Sequence, residues 1–472
     1  MTSKITKTQA GFWAACFALL LAVRLCHVKV LWVDEAYGMA AARRILEGTA
    51  LYRGLWFDKP PLYAWIYLPC WGVEGLPLRL IGAMFALLCC WLAARTATAM
   101  FDRREGYAAA ALMAFYLCFD HPSAVISLAP DQLLIPFGLG MAWAAAAGQP
   151  MLAGAVAAAG LLANAKALLF LPLLILWRPR ETARIAGGYL PAAAAVWIAA
   201  AGWWEPVWQW GSLYSRESLF GNPWKEGLSR TLNWAGFHAA LVILAVCGLV
   251  KEQRHRRLLL LWLGMAAIMV LAGFRFFPRY YFLLLPACVV AAARGASVPR
   301  RLWTTWLVAA ALAVPAVRFG WRHIGTLRRE PAALRDLALS EDARDAAKRL
   351  ALLALPNETL FVWGYRPELN VLARLPGTTR FLDSQPLTGV IADRHLSGTR
   401  VSAPELAARS RVELTRARPS FIADGLGPLN PALAITKYAD LRAWLSDYEP
   451  VAQTRTVLIY RLRGPLAGGQ RK

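Results

Sequence analysis

Two adjacent carboxylates and a lysine stand close to the first apolar stretch of the chain. Asp34 and Glu35 follow that stretch directly, and Lys59 lies in the run DKPP. Acids at the mouth of an apolar segment are costly to desolvate and are often functional, although they could also stabilise the N-terminus of a helix. Lys59 could anchor the loop to lipid phosphates. Carboxylates beside a lysine just outside a membrane indicate chemistry on a lipid-linked phosphate.

Other ionisable side chains lie at the ends of later apolar stretches. Asp131 (in APDQ) begins one stretch, where it could cap a helix or belong to a site. Lys166 (in NAK) separates two short stretches. Arg275 and Arg279 (in RFFPRYY) flank Phe276-Phe277-Pro278 and precede Tyr280. The two arginines could instead reach lipid headgroups with their long side chains.

The composition is that of a membrane protein. Of the 472 residues, 58% are hydrophobic and the mean hydropathy is +0.41, with apolar blocks long enough to cross a bilayer. The net charge of +23 comes from Lys and Arg clustered in short loops between these blocks, which marks cytoplasmic loops rather than nucleic-acid binding. The eight cysteines and six histidines show no zinc or disulfide spacing.

The basic loops give a topology with the N-terminus in the cytoplasm. Residues 34–75 then form a long external loop. Within it, Asp34–Gly48 is expected to be one surface helix, and the Pro60-Pro61 pair is expected to start another. About eleven transmembrane helices are predicted, near residues 11–33, 76–99, 108–119, 133–147, 152–163, 168–177, 185–201, 235–250, 258–273, 281–293 and 302–317.

From about residue 318 the composition changes to mixed charge with no membrane-length apolar run. Short β-rich runs are predicted at Thr359–Trp363, Ser420–Ala423 and Thr456–Tyr460. Helical patterns alternate with them at Pro331–Leu355, Pro404–Arg416 and Lys437–Ser446. We therefore expect a transmembrane domain, 1–317, followed by an extracytoplasmic α/β domain, 318–472.

The predicted topology brings the ionisable residues together on one side of the membrane. Three acids and the basic residues of three distant segments all fall outside, although the topology was derived without them. No Walker or Rossmann glycine pattern is present, which argues against nucleotide use.

These motifs resemble those of the GT-C membrane glycosyltransferases. The resemblance is carried by the first helix ending in Arg24, by DExY from Asp34, and by FDKPPL from Phe57. It continues through Pro130-Asp131, Lys166, PRY from Pro278 and WGYRPEL from Trp363. It is strongest to glycosyltransferase family 39 and to bacterial relatives similar to protein O-mannosyltransferases and aminoarabinose transferases.

The resemblance implies transfer of a sugar, with inversion, from a polyprenyl-phosphate donor to a lipid, glycan or protein acceptor. The reaction would take place on the outer face of a bacterial cytoplasmic membrane. Asp34 matches the catalytic acidic position, and Lys59 matches the lysine that contacts the lipid phosphate. Glu35 and Asp131 are expected to assist Asp34, and Lys166, Arg275, Arg279 and Tyr280 to bind the donor phosphate. Because the chain has Asp-Glu rather than Asp-x-Asp, no metal cofactor is expected to be required.

Two other classes of membrane protein are alternatives to this interpretation. A lipid-linked oligosaccharide ligase, polymerase or flippase would also be basic on its outer face, but it would handle a diphosphate-linked donor. A secondary transporter would have repeated halves and ionisable residues at mid-membrane, and the sequence has neither.

Overall fold

The structure is a computed structural model that describes residues 7–203, 206, 210, 223–297, 302–330, 335–392 and 394–463. Each of the eleven predicted apolar spans coincides with a helix. The α-helices before residue 330 are Lys7–Leu25, Val33–Leu46, Leu62–Trp65, Leu76–Met100, Arg103–Tyr116, Pro122–Val125, Pro130–Leu133, Ile135–Ala146, Pro150–Ala159, Phe170–Trp177, Thr182–Ala199, Pro223–Phe237, Ala239–Lys251, Arg256–Leu271, Leu285–Ala296 and Leu302–Leu327.

The number of membrane crossings remains a prediction. Within the described residues, three helices are long and apolar enough to cross a membrane: Lys7–Leu25, Leu76–Met100 and Leu302–Leu327. Pro223–Phe237 and Ala239–Lys251 together meet the same criterion but bend by 85° at their junction. The stretch between the predicted spans 185–201 and 235–250 lies partly outside the described residues, and its described C-terminal end is helical.

Small residues let neighbouring helices of this bundle approach closely. A Cβ on Gly248 would lie 2.0 Å from the carbonyl oxygen of Ala291, and one on Gly295 would lie 1.9 Å from that of Leu244. Ala239–Lys251 and Leu285–Ala296 therefore pack backbone against backbone. Such contacts are typical of helices in membranes, where close van der Waals packing replaces the hydrophobic effect.

The C-terminal part contains a four-stranded sheet in the order β1-β2-β4-β3, with β1 Leu360–Trp363, β2 Phe421–Asp424, β3 Tyr448–Gln453 and β4 Leu458–Leu462. Strands β1 and β2 pair in parallel, and the other pairs are antiparallel. The sequence predicted β1, β2 and β4 to within two residues at each end but missed β3. The α-helices here are Arg335–Leu353, Pro367–Ala373, Gln385–Thr388, Pro404–Arg416 and Arg442–Leu445.

The two faces of the sheet have separate cores because side chains alternate along a strand. Leu360 and Val362 pack with Ala346 and Leu350 of Arg335–Leu353. Phe361 and Trp363, on the opposite face, pack with other apolar side chains that include Trp56 of the first predicted external loop. The C-terminal part is therefore joined directly to the loop that carries the candidate site.

Helix Val33–Leu46 lies under this C-terminal part. Its residues from Glu35 to Ala42 are all buried, and the helix packs against Pro367–Ala373. The sequence predicts a helix along the membrane surface, and that placement stays a prediction. The small side chains of the helix (three consecutive alanines and Gly38) allow its middle to be covered on all sides.

Candidate active site

A cavity of about 380 Å³ gathers seven of the eight predicted site residues. The segments that form its wall come from the first loop, from four later segments of the helical part and from the C-terminal part. The predicted residues that line it are Asp34, Lys59, Asp131, Lys166, Arg275, Arg279 and Tyr280. Glu35 does not line it.

Asp34 stands in the first turn of Val33–Leu46 and is about one-third exposed. Its carboxylate forms an ion pair with the guanidinium of Arg279. This contact joins the start of the first loop to the segment that precedes Leu285–Ala296. An acid of the first loop and a cation of the later segment therefore share one wall of the cavity.

Glu35 points away from the cavity and forms a buried ion pair. Arg79 donates to both of its carboxylate oxygens, at 2.9 and 2.6 Å, and both side chains are about 1% exposed. Arg79 also donates to the backbone carbonyls of His27 and Val30, and Glu35 accepts from the Trp32 backbone N–H at 3.0 Å. The pair therefore fixes the chain between the first helix and Asp34, which positions Asp34 from outside the cavity.

The DKPP run is held by tyrosines. Tyr37 donates to one oxygen of Asp58 at 3.2 Å, while the Lys59 ammonium donates to the other at 2.6 Å. Tyr52 donates to the Lys59 carbonyl oxygen at 2.8 Å. Gly38 lets this segment approach closely, because a Cβ there would lie 2.3 Å from the carbonyl oxygen of Tyr63. Lys59 is therefore set in place by the preceding helix.

Asp131 and Lys166 form a second ion pair, with Lys166 Nζ 3.1 Å from Asp131 Oδ1. Asn164 donates to the same oxygen at 3.1 Å, and its own side-chain oxygen accepts from the Lys166 backbone N–H. The Lys166 ammonium also lies 3.9 Å from the centre of the Tyr280 ring, which is a favourable cation–π distance. Asn164 thus holds both partners of the pair at the cavity wall.

The segment that carries Arg275 and Arg279 has a strained backbone. Phe274 and Phe276 have φ angles of 53° and 46°, a region that bulky residues rarely adopt and that tends to persist at functional sites. Arg230 donates to the carbonyl oxygens of Arg275 and Phe276, at 3.3 and 3.2 Å. These bonds hold the turn that directs the two arginines to the cavity.

The C-terminal part closes one side of the cavity with Tyr365 and Ala392. The ring of Tyr365 lies 5.5 Å from that of Tyr37. Burial, together with nearby Tyr63 and Asp34, raises the pKa of Tyr365 well above its usual value, so its phenol stays protonated. Behind it, burial and the charge of Asp58 raise the pKa of Asp383 to about 7, against the opposing effects of the Gln385 backbone N–H and Lys59.

The charges of the lining nearly balance. Four cationic side chains (Lys59, Lys166, Arg275 and Arg279) face three carboxylates (Asp34, Asp58 and Asp131). Each carboxylate is paired with one of these cations. Cationic side chains gathered in this way suit a phosphate group, which is bound through charge-assisted hydrogen bonds.

In the described part of the chain, no group of three or more His, Cys, Asp or Glu side chains could hold a metal ion. The three carboxylates of the cavity have cationic side chains as partners. The expectation that no metal is required stays a prediction.

Solved structures share this fold across nearly the whole chain. ArnT from Cupriavidus metallidurans bound to undecaprenyl phosphate aligns with a TM-score of 0.56 and 16% identity, over 98% of this chain and 100% of that one. The same protein in the apo state gives 0.56 and 17%, with the same coverage. The apo Archaeoglobus fulgidus oligosaccharyltransferase gives 0.50 and 11%, over 89% of this chain and 70% of that one. No protein-family model and no curated protein sequence matches the chain.

The chain thus shares the fold of ArnT and of the archaeal oligosaccharyltransferase, with a helical part and a small C-terminal sheet. The resemblance drawn from the sequence motifs is confirmed at this level. The individual roles of the site residues stay predictions.

The sequence interpretation missed several residues that line or brace the cavity: Tyr37, Asp58, Tyr63, Asn164 and Tyr365. Signals for four of them were present. Asp58 and Asn164 stand in the same short runs as Lys59 and Lys166, Tyr37 is the tyrosine of the DExY motif, and Tyr365 lies in the WGYRPEL motif. Nothing in the sequence marked Tyr63 as different from other interfacial aromatics.

Proposed function

We propose that this protein transfers a sugar from a polyprenyl monophosphate to an acceptor hydroxyl, on the outer face of the cytoplasmic membrane and with inversion. The observation that carries the proposal is the single cavity in which Asp34 meets Lys59, Lys166, Arg275 and Arg279. The shared fold adds support, since one of the proteins with that fold is described bound to undecaprenyl phosphate.

The lipid bound to one protein of the same fold favours a monophosphate-linked donor. ArnT from Cupriavidus metallidurans is described bound to undecaprenyl phosphate, which carries a single phosphate group. A diphosphate-linked donor, the substrate of a ligase or polymerase, carries a second phosphate group that needs further cationic partners.

In the reaction, the acceptor oxygen attacks the anomeric carbon as the bond from that carbon to the phosphate oxygen breaks. The bonding electron pair stays on the departing phosphate, whose growing charge Lys59, Lys166 and Arg275 stabilise. The acceptor proton passes to the Asp34 carboxylate, which acts as general base. Attack from the face opposite the leaving group inverts the anomeric centre, as in glycosidases that place a base on that face.

Three further residues position these groups. Arg279 holds the Asp34 carboxylate at the cavity wall through their ion pair. Asn164 holds Asp131 and Lys166, and the pair of Glu35 and Arg79 fixes the backbone before Asp34. Tyr365 covers the site with a protonated phenol that can donate to a sugar or phosphate oxygen. The identity of the sugar and the acceptor would then be decided by the shape of the remaining wall.

The test supplies purified protein in proteoliposomes with one sugar linked either to polyprenyl monophosphate or to polyprenyl diphosphate. A native membrane extract provides acceptors, and a panel of pentoses and hexoses covers the unknown sugar. We expect release of polyprenyl phosphate from at least one monophosphate donor and inverted configuration in the product. Turnover of the diphosphate donors alone would contradict the proposal and favour the ligase or polymerase alternative.

A further inference from the structure

A second cavity, of about 410 Å³, shares the lining residue Phe277 with the first. Helix Leu302–Leu327, helix Pro223–Phe237 with the adjoining His238, the loop around Asp120 and the segment 276–281 form its wall. None of the proposed catalytic or donor-binding residues lines this second cavity.

Two arginines without carboxylate partners line it. Arg318 and Arg322 stand one turn apart on Leu302–Leu327, and neither forms an ion pair with a carboxylate of the described residues. Arg318 lies over the Phe237 ring, 4.8 Å from its centre, and Arg322 lies 5.6 Å from the centre of Phe319. These rings pack edge to face at 5.5 Å. Like charges at this helical spacing repel each other, and the aromatic pair keeps both guanidinium groups at the cavity.

The other charged groups leave a positive surplus. Arg230 also lines the cavity, but it is paired with Glu226. The Asp120 carboxylate accepts from the His121 backbone N–H and lies 3.5 Å from Nε2 of His238, whose ring is stacked between two aromatic rings. Among the described residues, two arginines without an ion-pair partner thus face one carboxylate, which leaves a net charge of +1 for an anion to balance.

The surroundings of the arginines indicate a lipid. Leu302–Leu327 is one of the helices long and apolar enough to cross a membrane, and its apolar side chains are widely exposed. Val317 is 71% exposed and Trp321 is 62% exposed, beside the two arginines in sequence. Exposed tryptophan next to arginine is typical of the headgroup layer. An anion that reaches this cavity along the helix would bring acyl chains suited to its apolar face.

We propose that this cavity binds the phosphate group of an anionic membrane lipid, with Arg318 and Arg322 as its ligands. Guanidinium groups match phosphate oxygens in shape and in charge. The Trp234 and Phe237 rings form the apolar side of the pocket, against which the glycerol end of the lipid packs. This site is independent of the transfer reaction and stands whether or not that reaction is correct.

The test is native mass spectrometry of the full-length protein in neutral detergent, titrated with phosphatidylglycerol or with diacylglycerol of the same acyl chains. The variant is Arg318→Gln with Arg322→Gln. The matched control is Arg328→Gln with Arg329→Gln, which removes the same charge from exposed positions outside the cavity. Thermal melting of both variants checks the fold, and each single substitution is measured as well.

We expect the wild type and the control to retain one tightly bound phosphatidylglycerol and no diacylglycerol. In the Arg318/Arg322 variant the affinity for that molecule should fall about tenfold or more, as lost charge-assisted hydrogen bonds imply. Equal binding by the two double variants would overturn the proposal. Displacement of the lipid by excess inorganic phosphate would also overturn it, because the site would then be one for a free anion.

Discussion

Replacing Asp34 by asparagine should change turnover and donor binding in opposite directions. The substitution removes the proposed base, and loss of general-base catalysis costs about 10²- to 10⁴-fold in rate. It also removes one of the three carboxylates of the cavity and frees Arg279 from its ion pair. The cavity becomes more positive by one charge, so polyprenyl-phosphate donors should bind at least as tightly as before.

The matched control is Asp58→Asn. It removes the same charge from the same cavity and breaks the ion pair of Lys59, but Asp58 is held by Tyr37 and is not the proposed base. Turnover should therefore fall far less in this variant than in Asp34→Asn.

The assay measures transfer in proteoliposomes under single-turnover conditions, together with donor affinity from equilibrium binding to the same preparations. For Asp34→Asn we expect a low rate of transfer and an undiminished affinity for the donor. Equal losses of rate in the two variants would refute the assignment of Asp34 as base, because the effect would then follow the charge of the cavity. Full turnover by Asp34→Asn would refute it outright.

Three further predictions concern Lys59, Glu35 and Asp383. Lys59→Ala should weaken donor binding and cost about 2–4 kcal/mol of transition-state stabilisation, measured as kcat/KM for the donor; an unchanged kcat/KM would remove Lys59 from the phosphate site. Glu35→Ala leaves Arg79 buried without its partner and should destabilise the protein by about 3–5 kcal/mol, seen as a lower melting temperature in detergent. The fraction that stays folded should bind donor normally, and a stable variant with lost donor binding would show that Glu35 acts in the cavity. The pKa of Asp383 is about 7 in the folded protein, above its unfolded value of about 3.9, so the folded state holds this proton more tightly. The stability that the protonated carboxyl contributes is therefore complete below about pH 4 and is lost as the pH rises through 7. Asp383→Asn should flatten this dependence in melting curves between those pH values, and an unchanged slope would contradict the assignment.

The helices and most of the sheet could be predicted from the sequence because their signals are local. Apolar spans, alternating β-rich runs and the acids that begin Val33–Leu46 each identify an element without reference to the rest of the chain. Strand β3 was missed because the run YEPVAQ contains a proline and few β-branched residues. Whether a helix crosses a membrane depends on its surroundings, which the local pattern does not contain.

The candidate site could be predicted in its members but not in its pairs. The topology placed Asp34, Lys59 and Lys166 on one side, yet it could not assign Asp34 to Arg279, since the two are far apart in sequence. The expectation for Glu35 was wrong in position for a reason the sequence already held. Successive residues of a helix point about 100° apart, so Asp34 and Glu35 leave Val33–Leu46 in different directions.

The contribution of the C-terminal part was the least predictable feature. Tyr365 reaches the cavity only because the chain from Arg335 onward folds back over Val33–Leu46. That contact is made between apolar and small side chains, which carry no mark of their partner in the sequence.

The most direct test of the central claim is the position of a bound phosphate. An experimental structure of the protein with undecaprenyl phosphate should show the phosphorus within hydrogen-bonding reach of Lys59 and of at least one of Lys166 and Arg275, in the cavity that Asp34 lines. A phosphate held elsewhere, with Lys59 still paired to Asp58 and Lys166 to Asp131, would contradict the account.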